Sequence, residues 1–376
     1  MICTRLKMKE FYFNLLDKGG IKFIVIKKFN GVFIIIMIIG CNFIGCSESI
    51  SAKIEKNNEL KIGITVYKQE DKFISCMTNI IEEYVIKKEN ETGTKITVNI
   101  SDAKGNSTLQ NSQVDKFISE DYDIICVNIV DRTAASVIIN KAKKYDIPVI
   151  FFNREPVEED INLWDKVYYV GANAEMSGSI QGKIVLEQYN KDKFSVDKNR
   201  DEKIQYVMLE GEPEHQDSLI RTESTIKKIT GLGIEVEKLA SDSANWQGSQ
   251  AYEKITQWIN EFGDKIEVVF SNNDDMALGA ISAFENADIE KEDRPLIVGI
   301  DGIPEALECI KDGSLKGTVF NDYISQAEMM IDISYDLKYN YDSKLMKGLN
   351  KTHQFKTSYK KITDENIDSY IKEDIQ

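Results

Sequence analysis

The sequence predicts an α/β protein made of two doubly wound, parallel-sheet lobes, and three observations predict it. Short apolar runs of β type recur ten times after residue 60, with amphipathic helical segments between them. Several runs are apolar throughout rather than alternating, as strands buried on both faces should be. About 330 residues follow the N-terminal apolar segment, more than one ordinary domain holds. Repeated βα units imply right-handed crossovers and parallel pairing. Ten strands over this length fit two sheets better than one.

The strand candidates, in order, are KIGITVY (61–67), KITVNI (95–100), IICVNIV (124–130), PVIFF (148–152) and VYYVG (167–171). The second half repeats the pattern with IQYVML (204–209), GIEVEKL (233–239), IEVVF (266–270), PLIVGI (295–300) and GTVF (317–320). Helical spacing marks ASVIINKAKKY (135–145), SGSIQGKIVLEQYN (177–190), SQAYEKITQWINEF (249–262) and DMALGAISAFENA (275–287). Pro304 opens a further helix, at a position that tolerates proline.

Ahead of the body, Lys22, Lys27 and Lys28 precede an apolar core from Val32 to Ile39. That core is too short to span a bilayer, which needs roughly 20 residues, but it suits an export signal. It ends in Ile38-Ile39-Gly40-Cys41, which resembles a bacterial lipobox, whose cysteine takes the lipid. Phe43-Ile44-Gly45-Cys46 is a poorer alternative, since an aromatic stands three before the cysteine. The reading is a lipoprotein signal peptide over 1–40, a polar tether over 41–59, and lipidation at Cys41 or else Cys46. An uncleaved membrane anchor is the rival. Either places the body outside the cytoplasm at a membrane surface.

The formal charge is −15 overall, and about −20 once residues 1–40 are set aside. Such a surface is a poor match for nucleic-acid phosphates. Cys76, Cys126 and Cys309 lie far apart in apolar contexts and read as small buried thiols; a Cys76–Cys126 or Cys126–Cys309 bridge is the lesser alternative. With two histidines and no HExxH, CxxC or GxSxG, zinc or triad chemistry has little to work with.

Open α/β sheets bind ligands beyond the carboxyl ends of their strands. The residues there are Asp71 and Phe73, Asn153, His215 with Asp217 and Arg221, Trp246, Asn272 to Asp274, Asp301, and Asn321 with Asp322. Carboxylates, carboxamides and a guanidinium can bond adjacent hydroxyls bidentately, and an aromatic face can cover the C–H face of a pyranose. A phosphate site would want glycine-rich backbone and more Lys or Arg. Any one Asn or Asp after a strand is equally well a turn former or helix cap. Asn272, Asp274 and Asp322 are read as the capping members of their pairs. Phe73 and Trp246, taken alone, fit a core as well.

At these residues the chain resembles the galactose/glucose-binding proteins of bacterial ABC transporters. The matching stretches run from GITVYKQEDKF through PVIFFNREP, QYVMLEGEPEHQDSLIRT, DSANWQGSQA, IEVVFSNNDDMALGA and VGIDGIPEAL to GTVFNDYISQA. The resemblance implies the type I periplasmic-binding-protein fold: two lobes joined by three crossovers with a sugar cleft between them. It implies lobes at 60–171 plus 320–356 and at 172–319 plus 357–376, with hinges near Gly171–Ala172, Gly317–Phe320 and Lys356–Ser358. It implies sugar contacts at Asp71, Phe73, Asn153, His215, Asp217, Arg221, Trp246, Asn273, Asp301 and Asn321. Phe73 and Trp246 would sandwich the ring, and Asp71 would accept from the hydroxyl that separates glucose from galactose.

The resemblance also implies a calcium site built like part of an EF-hand. Asp197, Asn199, Asp201 and Gln205 alternate as oxygen donors, Lys203 offers its carbonyl, and distant Glu267 replaces the usual bidentate glutamate. Glu202 stands where a turn glycine is expected and should disfavour φ > 0. The implied partners are a monosaccharide, the ABC permease subunits, and a chemoreceptor or sensor kinase that reads the closed form; a monomer is expected. The rival is an exported glycosidase using Asp71 and Asp301. Against it, Arg221 and the amides are expected to keep both carboxylates ionised.

Overall fold

All ten apolar runs form strands, and two further strands come from the C-terminal segment. A computed structural model describes residues 58–371. The strands are β1 (Glu59–Val66), β2 (Lys95–Asp102), β3 (Ile124–Val127), β4 (Val149–Phe152), β5 (Val167–Ala172) and β6 (Lys203–Glu210). They continue with β7 (Glu235–Ser243), β8 (Val268–Ser271), β9 (Leu296–Val298), β10 (Gly317–Phe320), β11 (Gln354–Thr357) and β12 (Lys360–Thr363). The helices are α1 (Lys72–Thr92), α2 (Ser107–Ser119), α3 (Ala135–Lys144), α4 (Glu158–Ile161), α5 (Ala174–Lys191) and α6 (Gln216–Thr230). After them come α7 (Gly248–Phe262), α8 (Asp274–Asn286), α9 (Pro304–Lys311), α10 (Tyr323–Tyr339), α11 (Lys344–Thr352) and α12 (Asp368–Ile371).

The strands form two six-stranded sheets, ordered β11-β5-β4-β3-β1-β2 and β12-β10-β9-β8-β6-β7. Pairing is parallel except between β10 and β12. Every residue of β3, β4, β8 and β10 is buried, which is why these strands read as unbroken apolar runs. Burying each large aliphatic or aromatic side chain stabilises the lobes by about 1.5–3 kcal/mol.

The chain crosses between lobes after β5, after β10 and after β11. Each crossover begins one residue beyond the boundary expected from sequence: Ala172, Phe320 and Thr357 still pair in their sheets. The residues of the expected middle hinge, Gly317–Phe320, form strand β10, and the chain leaves the sheet at Asn321–Asp322. Glu59, read as the end of a tether, already belongs to β1. The rest of the leader and tether, with Cys41 and Cys46, lies outside the described residues. Among those described, no helix is long and apolar enough to cross a membrane. Cys76, Cys126 and Cys309 are free; only Cys126 is fully buried, the other two being half-buried.

Two local fits place the site. Gly178 lets α5 and α6 approach so closely that a Cβ there would stand 2.1 Å from Ser224 Oγ and 2.5 Å from the Arg221 carbonyl. Gly211 does the same for an aromatic: a Cβ would stand 2.1 Å from the Trp246 ring.

Candidate functional site

The carboxyl ends of both sheets face one cavity. It is lined by Tyr67, Asp71, Phe73, Asn153 and Arg154 from the first lobe, and by His215, Asp217, Arg221, Trp246, Asn273 and Asp301 from the second. Nine of the ten residues expected from sequence are thus brought together. Asn321 stands behind the wall: its Nδ2 lies 3.4 Å from Asp301 Oδ1, and its Oδ1 accepts from Gln326 Nε2 at 2.9 Å. The cavity is narrow, about 30 Å³. Larger hollows of about 340 Å³ beside the crossovers and 650 Å³ on the second lobe are bordered mostly by exposed or half-buried side chains. Chemistry, not size, marks the site.

Arg221 organises the second-lobe wall. It projects from α6, 4% exposed, and donates through Nη1 to the Asn272 carbonyl (2.8 Å) and through Nη2 to Tyr359 Oη (3.1 Å) and Asp217 Oδ2 (3.3 Å). Asp301 Oδ1 lies 3.8 Å from Nη1. His215 caps α6, its Nδ1 accepting from the Asp217 amide at 3.1 Å. That acceptor role puts the proton of the neutral ring on Nε2.

The expected caps are partly exchanged. Asn273, not Asn272, caps α8, accepting from the Met276 amide at 3.0 Å. Asn272 turns inward instead and accepts from the Gly211 amide and Ser218 Oγ, each at 3.2 Å. Asp274 is buried, bonding the Gly302 and Ile303 amides and Thr318 Oγ1. Asp322 does cap α10, through the Ser325 amide.

On the first-lobe wall, Asp71 caps α1 through the Ile74 amide (3.1 Å) and accepts a short hydrogen bond from Tyr67 Oη. Arg154 lies flat on Tyr67, 3.5 Å from the ring centre. Asn153 Oδ1 accepts from Asn128 Nδ2 at 3.1 Å, and its carbonyl accepts from Tyr169 Oη at 2.9 Å. Tyr67 and Arg154 were not among the sequence candidates, although each adjoins a stretch that was.

Phe73 and Trp246 are both buried in the cavity wall. Trp246 meets His215 edge-on, 5.2 Å between ring centres, and its Nε1 is buried without a hydrogen-bond partner among the described residues. Asn153, Trp246 and Asp301 hold left-handed or related backbone, with φ of 58°, 65° and 133°. Such strain costs of order 1–3 kcal/mol per residue and gathers at functional sites.

Burial governs the charges. It pushes the Asp301 carboxyl well above the usual range, against the pull of Arg221, and raises Asp71 and Asp217 in the same direction. Asp274, which touches no cation, rises to about 6. At Asp71 and Asp301 burial is the largest influence and opposes ionisation, acting at Asp301 against a guanidinium 3.8 Å away. Burial and the charges of Arg154, Arg221 and Arg132 push His215 well below its ordinary value, so it stays neutral.

The 197–205 loop is folded on its own oxygens. Asp197 is fully buried and accepts from the Asp201 and Glu202 amides, both at 3.1 Å. Asn199 Oδ1 takes the Asp201 amide (2.8 Å), and Asn199 Nδ2 donates to Gln205 Oε1 (3.1 Å). Buried Glu267 ties the loop to β8 by accepting from the Lys198, Asn199 and Gln205 amides. Glu202 adopts the left-handed turn (φ 69°) despite its side chain. Among the described residues no group of three His, Cys, Asp or Glu side chains is gathered for a metal. A cation here would have to draw also on the Asn199 and Gln205 amides and the Lys203 carbonyl. The donor set fits a hard cation in being all oxygen, with two buried carboxylates; burial raises the Glu267 carboxyl and the nearby Asp197 charge adds to it.

Comparison with known proteins accords with this geometry. The model of the periplasmic binding protein domain matches residues 62–340. The chain is 38% identical over 290 residues to the D-galactose/methyl-galactoside binding periplasmic protein MglB of Haemophilus influenzae, covering 77% of this chain and 84% of that protein. It is 31% identical over 279 residues to a putative rhizopine-binding protein of Rhizobium meliloti, covering 73% and 84%. Among solved structures, an ABC transporter solute-binding protein from Bacillus halodurans with bound myo-inositol superposes with a TM-score of 0.68 at 28% identity, over 83% of this chain and 96% of that one. The two parallel-sheet lobes, the cavity at their strand ends and these matches agree: the chain belongs to the periplasmic binding protein domain family.

Proposed function

We propose that the protein is the extracytoplasmic binding component of a sugar ABC importer, capturing D-galactose, D-glucose or a methyl-galactoside between its lobes and delivering it to the permease. One observation carries the reading: one cavity is bounded by three aromatics and by carboxylate, amide, imidazole and guanidinium groups drawn from both lobes. Phe73 and Trp246 supply apolar faces for a pyranose. Asp71, Asn153, His215, Arg221, Asn273 and Asp301 supply directional donors and acceptors for its hydroxyls, with Asn321 and Asp217 holding Asp301 and Arg221. A ligand touching both walls stabilises the closed form over the open one, a population shift that the permease, or a chemoreceptor or sensor kinase, reads. The relative named for D-galactose and methyl-galactoside supports the choice of sugar. In this reading the monomer is held at the membrane by a lipid on Cys41 or Cys46.

Calorimetric titration with D-galactose, D-glucose, methyl-galactoside and myo-inositol tests it. One site per chain with the hexoses tighter than the inositol is expected, and binding without turnover. Trp246→Ala should weaken hexose binding by about 1–3 kcal/mol. Unchanged titrations for Trp246→Ala would move the site elsewhere.

A second reading rests on the buried carboxylates Asp197 and Glu267. Asp197, Asn199, Asp201, Gln205, Glu267 and the Lys203 carbonyl hold a calcium ion, whose charge offsets both carboxylates and fixes the loop. A chelator should then lower the melting temperature and added calcium restore it. No response to either would leave the loop a metal-free turn.

A further inference from the structure

The rim of the cleft carries direct bridges between the lobes, and their charges are sorted by side. Glu212, in the loop after β6, belongs to the second lobe. Its Oε2 lies 2.6 Å from Arg154 Nη2 and its Oε1 3.4 Å from Lys68 Nζ, both on the first lobe. Elsewhere on the rim, Lys72 of α1 meets Glu305 of α9 at 2.5 Å, and Arg132 donates to Gln216 Oε1 at 2.5 Å. In all these bridges the cation comes from the first lobe and the acceptor from the second.

Glu212 is the strongest member. Arg154 is 7% exposed and already fixed by stacking on Tyr67, so little side-chain freedom remains to be lost when the pair forms. The Lys72–Glu305 pair is about half exposed at both ends and is worth less. None of these bonds survives separation of the lobes, because every partner lies across the cleft.

We propose that this charge-sorted rim, centred on Glu212, is a clasp that stabilises the closed form without touching the ligand, making Glu212 a positioning residue for affinity and release. The proposal rests on the capture-by-closure reading. A neutral sugar brings no charge of its own to be screened. Salt dependence of its binding therefore reports on the clasp. Cross-cleft pairs that form only on closure act on the off-rate more than on the on-rate.

The test uses the full chain and two readouts. The first is the dissociation constant and off-rate for D-galactose between about 0.02 M and about 0.5 M NaCl. Wild-type affinity should fall several-fold across that range. Glu212→Gln should weaken binding about tenfold at low salt, mostly through a faster off-rate, and should show a flatter salt slope. Glu305→Gln should shift both in the same direction by less. A Glu212→Gln slope equal to the wild type's would overturn the clasp.

The second readout is hydrogen exchange of the ligand-free chain in the rim segments 150–156 and 208–216. Faster exchange is expected in Glu212→Gln, and in the wild type at high salt. If galactose fails to bind but exchange responds in this way, the clasp stands and the sugar assignment falls. If exchange is unmoved by salt and by the substitution, the clasp falls whatever the sugar does.

Discussion

The second lobe presents six side chains to the cavity and the first presents five, but they are held in different ways. Arg221 on the second lobe is bonded to the Asn272 carbonyl, Asp217 and Tyr359, and lies beside Asp301. Tyr359, on the last crossover, is itself buried in the core of that lobe. On the first lobe Asp71 rests on Tyr67 and a helix amide, and the Arg154 stacked on Tyr67 finds its carboxylate on the opposite lobe. The Arg221 network of the second lobe therefore draws no partner from the first, whereas part of the first-lobe wall is finished only by closure. A substitution in one wall should cost fold stability, and one in the other should cost ligand affinity.

The largest effect is expected at Arg221. Arg221→Met leaves Asp217 and Asp301 buried without their cation, so chemical denaturation should show a loss of about 3–5 kcal/mol. A variant with wild-type stability and only weaker sugar binding would break the comparison. Tyr67→Phe comes next. It removes one hydrogen bond to Asp71 and keeps the ring under Arg154, so galactose affinity should drop by about 1 kcal/mol with the melting temperature nearly unchanged. Equal losses in affinity and stability would mean that the first-lobe wall is as self-contained as the second.

The smallest effect sharpens the picture of the second wall. His215 has a folded pKa well below its ordinary value. Below about pH 6.5 the unfolded chain binds a proton that the folded chain refuses. Its contribution is thus fully present above that pH and is lost as pH falls toward the depressed value. Raised Asp71, Asp217 and Asp301 act in the opposite direction, so the quantity to measure is the difference between wild type and His215→Gln. Melting temperatures followed downward from neutral pH should fall more steeply for the wild type. Parallel curves would mean that His215 is protonated in the folded chain.

The fold was legible because its central strands are buried on both faces and so stand out as apolar runs. β11 and β12 escaped notice because QFKT and KKIT are short, and Lys and Gln dilute them; their place is set by pairing with β5 and β10. The middle crossover starts directly after β10, so its first residue could not be separated in sequence from the strand end. Strand-end chemistry located nine cavity residues, but it could not say which of two adjacent asparagines turns inward. That choice depends on Gly211 and Ser218 arriving from another loop. Extending the search by one residue would have found Arg154 after Asn153. Tyr67 ended an apolar strand and gave no sign of bonding Asp71. The upward push on Asp71 and Asp301 was not legible because sequence shows the neighbouring charge but not the depth of burial.

The central claim is that one sugar is held by both walls at once, and a crystal structure grown with D-galactose tests it most directly. It predicts a single pyranose between Phe73 and Trp246, within hydrogen-bonding distance of Asp71 on one lobe and of Arg221 and Asp301 on the other. A sugar bound to one wall only, or density for it in the hollow beside the crossovers, would contradict the account.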